Sequence, residues 1–459
     1  MPGSMQDVPL SVHHLFDRAE RYFGHKTITT ATASGIERTT YAEWAVRTRK
    51  LGTVLDHLGI SATGRVATFA WNTARHLELY FAAPCTGRVL HTLNIRLFPE
   101  QLTYIVNHAE DEVIFVDKSI FGLLAPLLPT FETVKHLVVM DDGKGDVPAD
   151  TAGIPVHDYE ALLAAAAPAT FTEVPEHTAA SMCYTSGTTG NPKGVVYTHR
   201  STFLHTMATM MTDGLGASER DKILPVVPMF HANAWGLAHA AVASGADLVM
   251  PGPDLSGPAI ANLIVNERPT IAAGVPTIWM GVLPELKGRA WGMTETSPIA
   301  AVCHLDSDQL LLDVNAQADL RTQVGRIVFG VECRVVEPGT TTSVPWDGES
   351  SGELQCRGNW IAATYYNDER AGESFSVDGW LRTGDVAAVD ARGRIRLLDR
   401  TKDLIKSGGE WISSVEIENE LMAHPGIREA AVIGVLHPKW SERPLACVVL
   451  EPGTSLSKQ

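Results

Sequence analysis

The stretch Tyr184–Gly194 reads YTSGTTGNPKG, and its reading decides how the rest of the chain is understood. Its eleven residues hold three Thr, one Ser, three Gly and one Lys, with Pro192 directly before Lys193. Hydroxyls and open backbone N–H groups suit polyphosphate oxygens, and glycine lets the backbone approach them closely. Lys193 adds a point charge for the outer phosphates. A plain Ser/Thr/Gly surface turn is the bland alternative, and it leaves the closing Pro-Lys-Gly unexplained. A Walker-type loop needs Gly before the Lys, then Ser or Thr opening a helix. Here Gly194 follows the lysine, and Val195-Val196-Tyr197-Thr198 reads as strand. The loop therefore joins two strands and holds phosphate without a helix dipole.

Outward from this loop the chain alternates strand-like and helix-like runs. A helical spacing covers Leu10–Gly24, and Thr40-Tyr41-Ala42-Glu43 has the form of a capping box opening an amphipathic helix to about Leu58. Arg65–Ala70, Val89–Leu93, Val113–Asp117 and Leu137–Met140 read as strands, with helical runs at Thr73–Ala83 and Pro99–Ala109 between them. After the loop, Ser201–Asp213 is helical, and Ile223–Val227, Leu248–Met250 and Ile271–Ala273 continue the rhythm. Such alternation predicts an α/β fold with doubly wound parallel sheets. From Val331 the pattern turns to short strands with Gly/Pro turns, a small β-rich part over about 331–398. Beyond Asp399 it turns to a compact α+β segment. The expected organisation is a large domain over 6–398 and a small mobile domain from 399 that is cut short at 459, with Met1–Met5 as a cloning scar.

A length of 459 residues favours two or more domains. A net charge of −16 with no basic stripe argues against nucleic-acid binding. The six cysteines are scattered without a CxxC pair, and no apolar run reaches the length of a membrane span. These features predict buried free thiols and a cytoplasmic protein. His231 and His239 lack metal-ligand spacing on one helix face, so zinc is not expected.

Four more stretches follow the loop in an order that resembles the adenylate-forming acyl-CoA synthetase superfamily. These are Trp291-Gly292-Met293-Thr294-Glu295, Trp380-Leu381-Arg382-Thr383-Gly384-Asp385, the run from Asp399 to Glu410, and Phe230-His231-Ala232-Asn233-Ala234-Trp235. The Gly-Gly-Glu-Trp-Ile-Ser run is similar to bacterial medium- and long-chain fatty-acyl-CoA ligases. The resemblance implies a nucleotide site made of Thr185, Ser186, Gly187, Thr188, Thr189, Gly190 and Lys193, then Trp291 through Glu295, Asp385, Arg400, Lys402, Lys406 and Trp411. Thr185 and Glu295 would hold Mg²⁺, as a hydroxyl and a hard carboxylate oxygen can. Trp291 offers a face to adenine, and Asp385 can accept both ribose hydroxyls. Thr185, Lys193, Glu295 and His231 would act in catalysis.

On the acid side the resemblance implies His231, Ala232, Trp235 and Gly274 as substrate contacts. Amino-acid-activating relatives carry an Asp after the aromatic residue, where this chain has His231, so a plain carboxylic acid is expected. Trp235 would gate an apolar tunnel, with Gly236, Ala238, Ala240 and Ala241 leaving room beside it. Asp399 would be the hinge, and Gly408-Gly409 would pass the arm of CoA. The implied activity is ATP-dependent formation of acyl-AMP from a medium- or long-chain fatty acid, then acyl transfer to CoA. A short thioether or aryl-propionic acid is the alternative substrate, and a non-catalytic nucleotide- or acyl-adenylate-binding protein is the alternative class. A homodimer joined through the N-terminal domain is also implied. Two family features are absent. A few dozen residues expected between Gly274–Thr277 and Trp291 are missing near 287–290, and no lysine before Gln459 takes the place of the family's C-terminal one.

Overall fold

The computed structural model describes residues 3–185, 191–275, 290–297, 299–321, 323–368, 371–401, 404–407, 410–414, 417–418, 421, 424 and 426–450. Two parallel-type sheets form its larger part. One has seven strands in the order Val156–Asp158, His136–Met140, Asp111–Asp117, Arg65–Phe69, Val89–Thr92, Ala179–Thr185 and Lys193–Thr198. Every pairing in it is parallel except the last, where Ala179–Thr185 and Lys193–Thr198 run antiparallel. The other sheet orders Ile271–Ala273, Lys222–Pro225, Asp247–Met250, Thr27–Thr32 and Gly35–Thr40, with only the last pair antiparallel.

The strands of parallel sheets are buried on both faces, and their sequences show it. Val66, Leu90, Val113 and Phe115 of the first sheet share one core with Ile28, Ile223, Leu248 and Met250 of the second. The helices Val12–Tyr22, Tyr41–His57, Ala74–Cys85 and Leu237–Ser244 contribute to that core. Trp44 stands at its centre, 5.2 Å from both Phe16 and Phe81 by ring centroids. On the first sheet's other face Ala67, Phe69, Ile114, Val116 and Val139 pack on Leu102, Ile105 and Val106 of the helix Pro99–Ala109.

Caps fix where the helices start. Thr40 accepts from the Glu43 N–H (3.2 Å), and the Glu43 carboxylate accepts from the Thr40 N–H (2.8 Å), completing the expected capping box. Thr73, 4% exposed, accepts from the His76 N–H at 3.2 Å and opens Ala74–Cys85. Thr73→Ala is expected to lower stability by about 1 kcal/mol, read as a shift of the urea midpoint at constant slope.

The β-rich part is a four-stranded antiparallel sheet in the order Val331–Val336, Ser351–Gly358, Leu381–Val389, Ile395–Arg400. A second small sheet joins Ala290–Gly292, Ile299–Val302 and Arg326–Ile327. Beyond Arg400 a last sheet orders Glu410–Ile412, Ile405–Ser407, Ser441–Leu450 and Ile427–His437. Among the described residues no helix is long and apolar enough to cross a membrane. The segment around 287–290, where residues are expected to be missing, lies within or beside 276–289, outside the described residues.

Candidate active site

The phosphate-loop stretch closes a β-hairpin at the edge of the seven-stranded sheet. Thr185 ends one strand directly opposite Lys193, which begins the next, and Tyr184 faces Gly194. A Cβ on Gly194 would lie 3.0 Å from the Tyr184 ring, so the residue after the lysine has to be small. The Tyr184 ring is held there by its hydroxyl, 2.7 Å from His108 Nδ1. Ser186, Gly187, Thr188, Thr189 and Gly190 lie outside the described residues. Lys193 borders a cavity of ≈270 Å³ with His108, Pro192, Tyr366 and Asp368.

Glu295 sits on a single 3₁₀ turn, Thr294–Thr296, and is 6% exposed. Its Oε1 accepts from the Tyr365 hydroxyl at 2.7 Å, and its carbonyl accepts from the Ala362 N–H at 2.7 Å. Tyr197 donates to the Thr294 carbonyl at 2.7 Å, so the strand carrying Lys193 also carries a support for this turn. Burial holds the Glu295 carboxyl above the usual carboxylate range. The Tyr365 bond and the charges of Lys193 and Arg400 oppose that rise. Lys193 Nζ lies 4.6 Å from the centre of the Tyr365 ring and donates to Ser374 Oγ at 3.3 Å. Tyr365 thus joins the cation and the carboxylate, one on its face and one on its hydroxyl.

Neither Tyr365 nor Ser374 was marked by sequence. The signal available was the aromatic pair Tyr365-Tyr366, whose second member donates its N–H to the Gly194 carbonyl at 2.7 Å. Tyr365→Phe keeps the ring under Lys193 and removes the bond to Glu295. It is expected to weaken binding of a polyphosphate ligand such as ATP about 3- to 10-fold, as loss of one hydrogen bond implies, measured by titration.

Asp385, 5% exposed, takes the Arg400 guanidinium at 2.7 Å (Nε to Oδ1) across the register pair that joins their strands. Gly292, Met293 and Thr294 lead directly into Glu295. For Trp291, Lys406 and Trp411 only the backbone is described, with Lys406 opposite Trp411 in the last sheet. Lys402, Gly408 and Gly409 lie outside the described residues. Asp399, the next-to-last residue of its strand, forms a clasp: Oδ2 accepts from the Ser414 N–H (2.8 Å), Ser413 Oγ (3.0 Å) and Ser414 Oγ (3.2 Å). The expected hinge residue therefore ties its strand to Ser413 and Ser414.

On the acid side, His231 is exposed at the start of a left-handed turn. Ala232, Asn233, Ala234 and Trp235 have φ of 43°, 51°, 52° and 56°, and Gly236 follows at 72°. Four L-residues in this region cost about 1–2 kcal/mol each, so the surrounding contacts must hold the turn. The room expected beside Trp235 is largely filled. Ala238, Ala240 and Ala241 are fully buried in the main core, and a Cβ on Gly236 would lie 2.5 Å from the His205 ring. Among the described residues, Gly236 borders a cavity of ≈10 Å³ together with Tyr197, His205, Thr206, Asn233, His239 and Ser297. Burial lowers the pKa of His205 to about 3 and that of His239 to about 4, so both are neutral. Gly274 is buried, one residue past the edge strand Ile271–Ala273. Among the described contacts, none joins His231 to Lys193 or Glu295.

The family model for AMP-binding enzymes matches residues 15–290 and 287–366, and the model for their C-terminal domain matches 416–459. The chain belongs to the AMP-binding enzyme family. As such an enzyme it is 43% identical to 3-methylmercaptopropionyl-CoA ligase of Ruegeria pomeroyi, over 99% of this chain and 90% of that protein. It is 41% identical to a long-chain-fatty-acid–CoA ligase of Thermus thermophilus, over 98% of this chain and 87% of that protein. Both relatives are acid–thiol ligases by name. Among solved AMP-binding enzymes, ATP-bound MatB from Rhodopseudomonas palustris superposes with a TM-score of 0.79 at 25% identity, covering 97% of this chain and 90% of that one. The two pieces of the first family match meet at 287–290, where the sequence reads as shortened.

Proposed function

We propose that this AMP-binding enzyme is an ATP-dependent fatty-acid–CoA ligase that forms acyl-AMP and then passes the acyl group to CoA with release of AMP. The observation that carries this is the meeting of Lys193 and Glu295 on Tyr365, beside the hairpin that ends in Thr185. A phosphate cation and a buried carboxylate are brought to one place by one aromatic residue. The buried Glu295 carboxylate, raised toward its neutral form, fits a divalent cation, whose charge would favour ionisation. Glu295 and Thr185 would hold Mg²⁺, which neutralises phosphate charge when bound.

The chain's own groups have separable tasks. Lys193 and the Thr/Ser/Gly loop hold the outer phosphates, which leave as pyrophosphate when the carboxylate oxygen attacks the α-phosphorus. Asp385 orients the ribose and is itself oriented by Arg400. Opening of the Asp399 clasp would free the domain that begins at Arg400 to turn, bringing Gly408-Gly409 to the thiol arm of CoA. In that second step the thiol sulfur bonds the acyl carbon and AMP leaves. His231 supplies no carboxylate for an amine, which supports a plain carboxylic acid. A shortened segment near 287–290, a cytoplasmic location and a homodimer belong to the same reading.

A second reading, a short thioether acid as substrate, is favoured by the 43% identity to 3-methylmercaptopropionyl-CoA ligase. A panel of straight-chain acids and 3-(methylthio)propanoate, scored by kcat/KM for AMP release, separates the two. A tunnel gains affinity with each buried methylene, at ~0.8 kcal/mol apiece. A flat or falling series with preference for the thioether acid selects the short substrate.

A further inference from the structure

The left-handed turn that carries His231 and Trp235 is fastened to the phosphate side of the site by one side chain. Asn233 is 7% exposed, and its carboxamide reaches the strand Ala179–Thr185. Its Nδ2 donates to Ser181 Oγ at 2.9 Å. Its Oδ1 accepts from Cys183 Sγ at 3.2 Å and from Thr92 Oγ1 at 3.5 Å. Burial pushes the Cys183 thiol up to about 11, so it remains an S–H donor at neutral pH. Ser181, Cys183 and Thr185 alternate along one strand and share a face, because side chains repeat every second residue. The carboxamide is therefore bonded to the same strand face on which Thr185 stands, at the end of that strand. At its other end, the Asn233 carbonyl accepts from the Gly236 N–H at 3.0 Å and closes the turn.

We propose that Asn233 is a positioning residue that sets the distance between the acid and the phosphate loop in the ligase reaction proposed above. The carboxylate of the acid must meet the α-phosphorus along one line, and errors of about 1 Å in such placement cost on the order of 100-fold in rate. Asn233 does not touch the reacting atoms. It fixes the turn holding His231 and Trp235 against the strand that delivers Thr185, across 50 residues of sequence between Cys183 and Asn233. The plain alternative is that Asn occupies this position because it tolerates positive φ better than other side chains.

Asn233→Gly separates the two, since glycine accepts the φ of 51° freely and has no carboxamide. Acid-dependent ATP–pyrophosphate exchange and thermal melting would be measured on the full chain. The positioning role predicts a folded variant that keeps its KM for ATP and loses kcat roughly 10- to 100-fold, beyond any change in melting. Ser181→Ala breaks the same link from the strand side. It is expected to lower kcat in the same sense, with no further loss in the double variant. If Asn233→Gly does not fold, Ser181→Ala decides alone, a fall in kcat at unchanged melting supporting the role. Wild-type kcat in either folded variant overturns it. Absence of exchange by the wild type with every acid overturns the ligase reading itself, and this role with it.

Discussion

Glu295→Gln is expected to lower acid-dependent ATP–pyrophosphate exchange by roughly 10²–10³-fold while leaving the protein as stable as before, or more so, in metal-free buffer. The magnitude is that of removing one preorganised group that stabilises a transition state, here through the Mg²⁺ that Glu295 would hold. The stability half follows from the sign of the pKa shift. Burial, the largest influence on Glu295, raises its folded-state value. Well below the ordinary carboxyl pKa both folded and unfolded forms are protonated and nothing is lost. As pH rises through the unfolded value toward the folded one, the unfolded chain ionises first and stability falls. Glutamine removes that loss. A divalent cation added to the wild type should restore stability by mass action and should do little for the variant. Melting curves at pH 5 and pH 8, with and without Mg²⁺, check both halves.

Asp385→Asn is expected to raise KM for ATP about 10- to 100-fold, the range for hydrogen bonds to a charged acceptor, with a smaller change in kcat at saturating ATP. Asp385 is buried while its partner Arg400 has a side chain 56% exposed. An ion pair open to water on one side contributes little stability, so the variant should melt close to the wild type. The loss then belongs to recognition of the nucleotide rather than to the fold. Isothermal titration with ATP and with AMP checks this, because a ribose contact weakens both nucleotides equally.

The alternation of strands and helices in the large domain was largely legible, since the strands buried on both faces are continuous apolar runs and the helices between them carry caps. Thr40-Tyr41-Ala42-Glu43 announced its helix, and Thr73 sits where its own helix begins. The hairpin Thr27–Thr32 and Gly35–Thr40 was not legible. Its second strand is mostly exposed, so the sequence Gly-Ile-Glu-Arg-Thr-Thr has no apolar face to betray it. The positions that local motif singles out were legible as motifs: Thr185 ends a strand, Lys193 begins one, Glu295 lies on a turn between two and Asp385 lies within one. Residues brought by tertiary contact were not. Tyr365 meets Glu295 across 70 residues, and the Asp399 clasp meets Ser413 and Ser414 across 14 and 15. The left-handed turn was hidden for another reason. Ala232, Ala234 and Trp235 have no local preference for positive φ, so that conformation is imposed by packing around Gly236 and by the bonds of Asn233.

The most direct measurement is the exchange of labelled pyrophosphate into ATP by the full chain with Mg²⁺, run with and without an acid from the chain-length and thioether panel and without CoA. Reversible formation of acyl-AMP predicts label in ATP only when an acid is present, and release of AMP and acyl-CoA once CoA is added. Binding of ATP with no acid-dependent label for any acid of the panel would contradict the assignment.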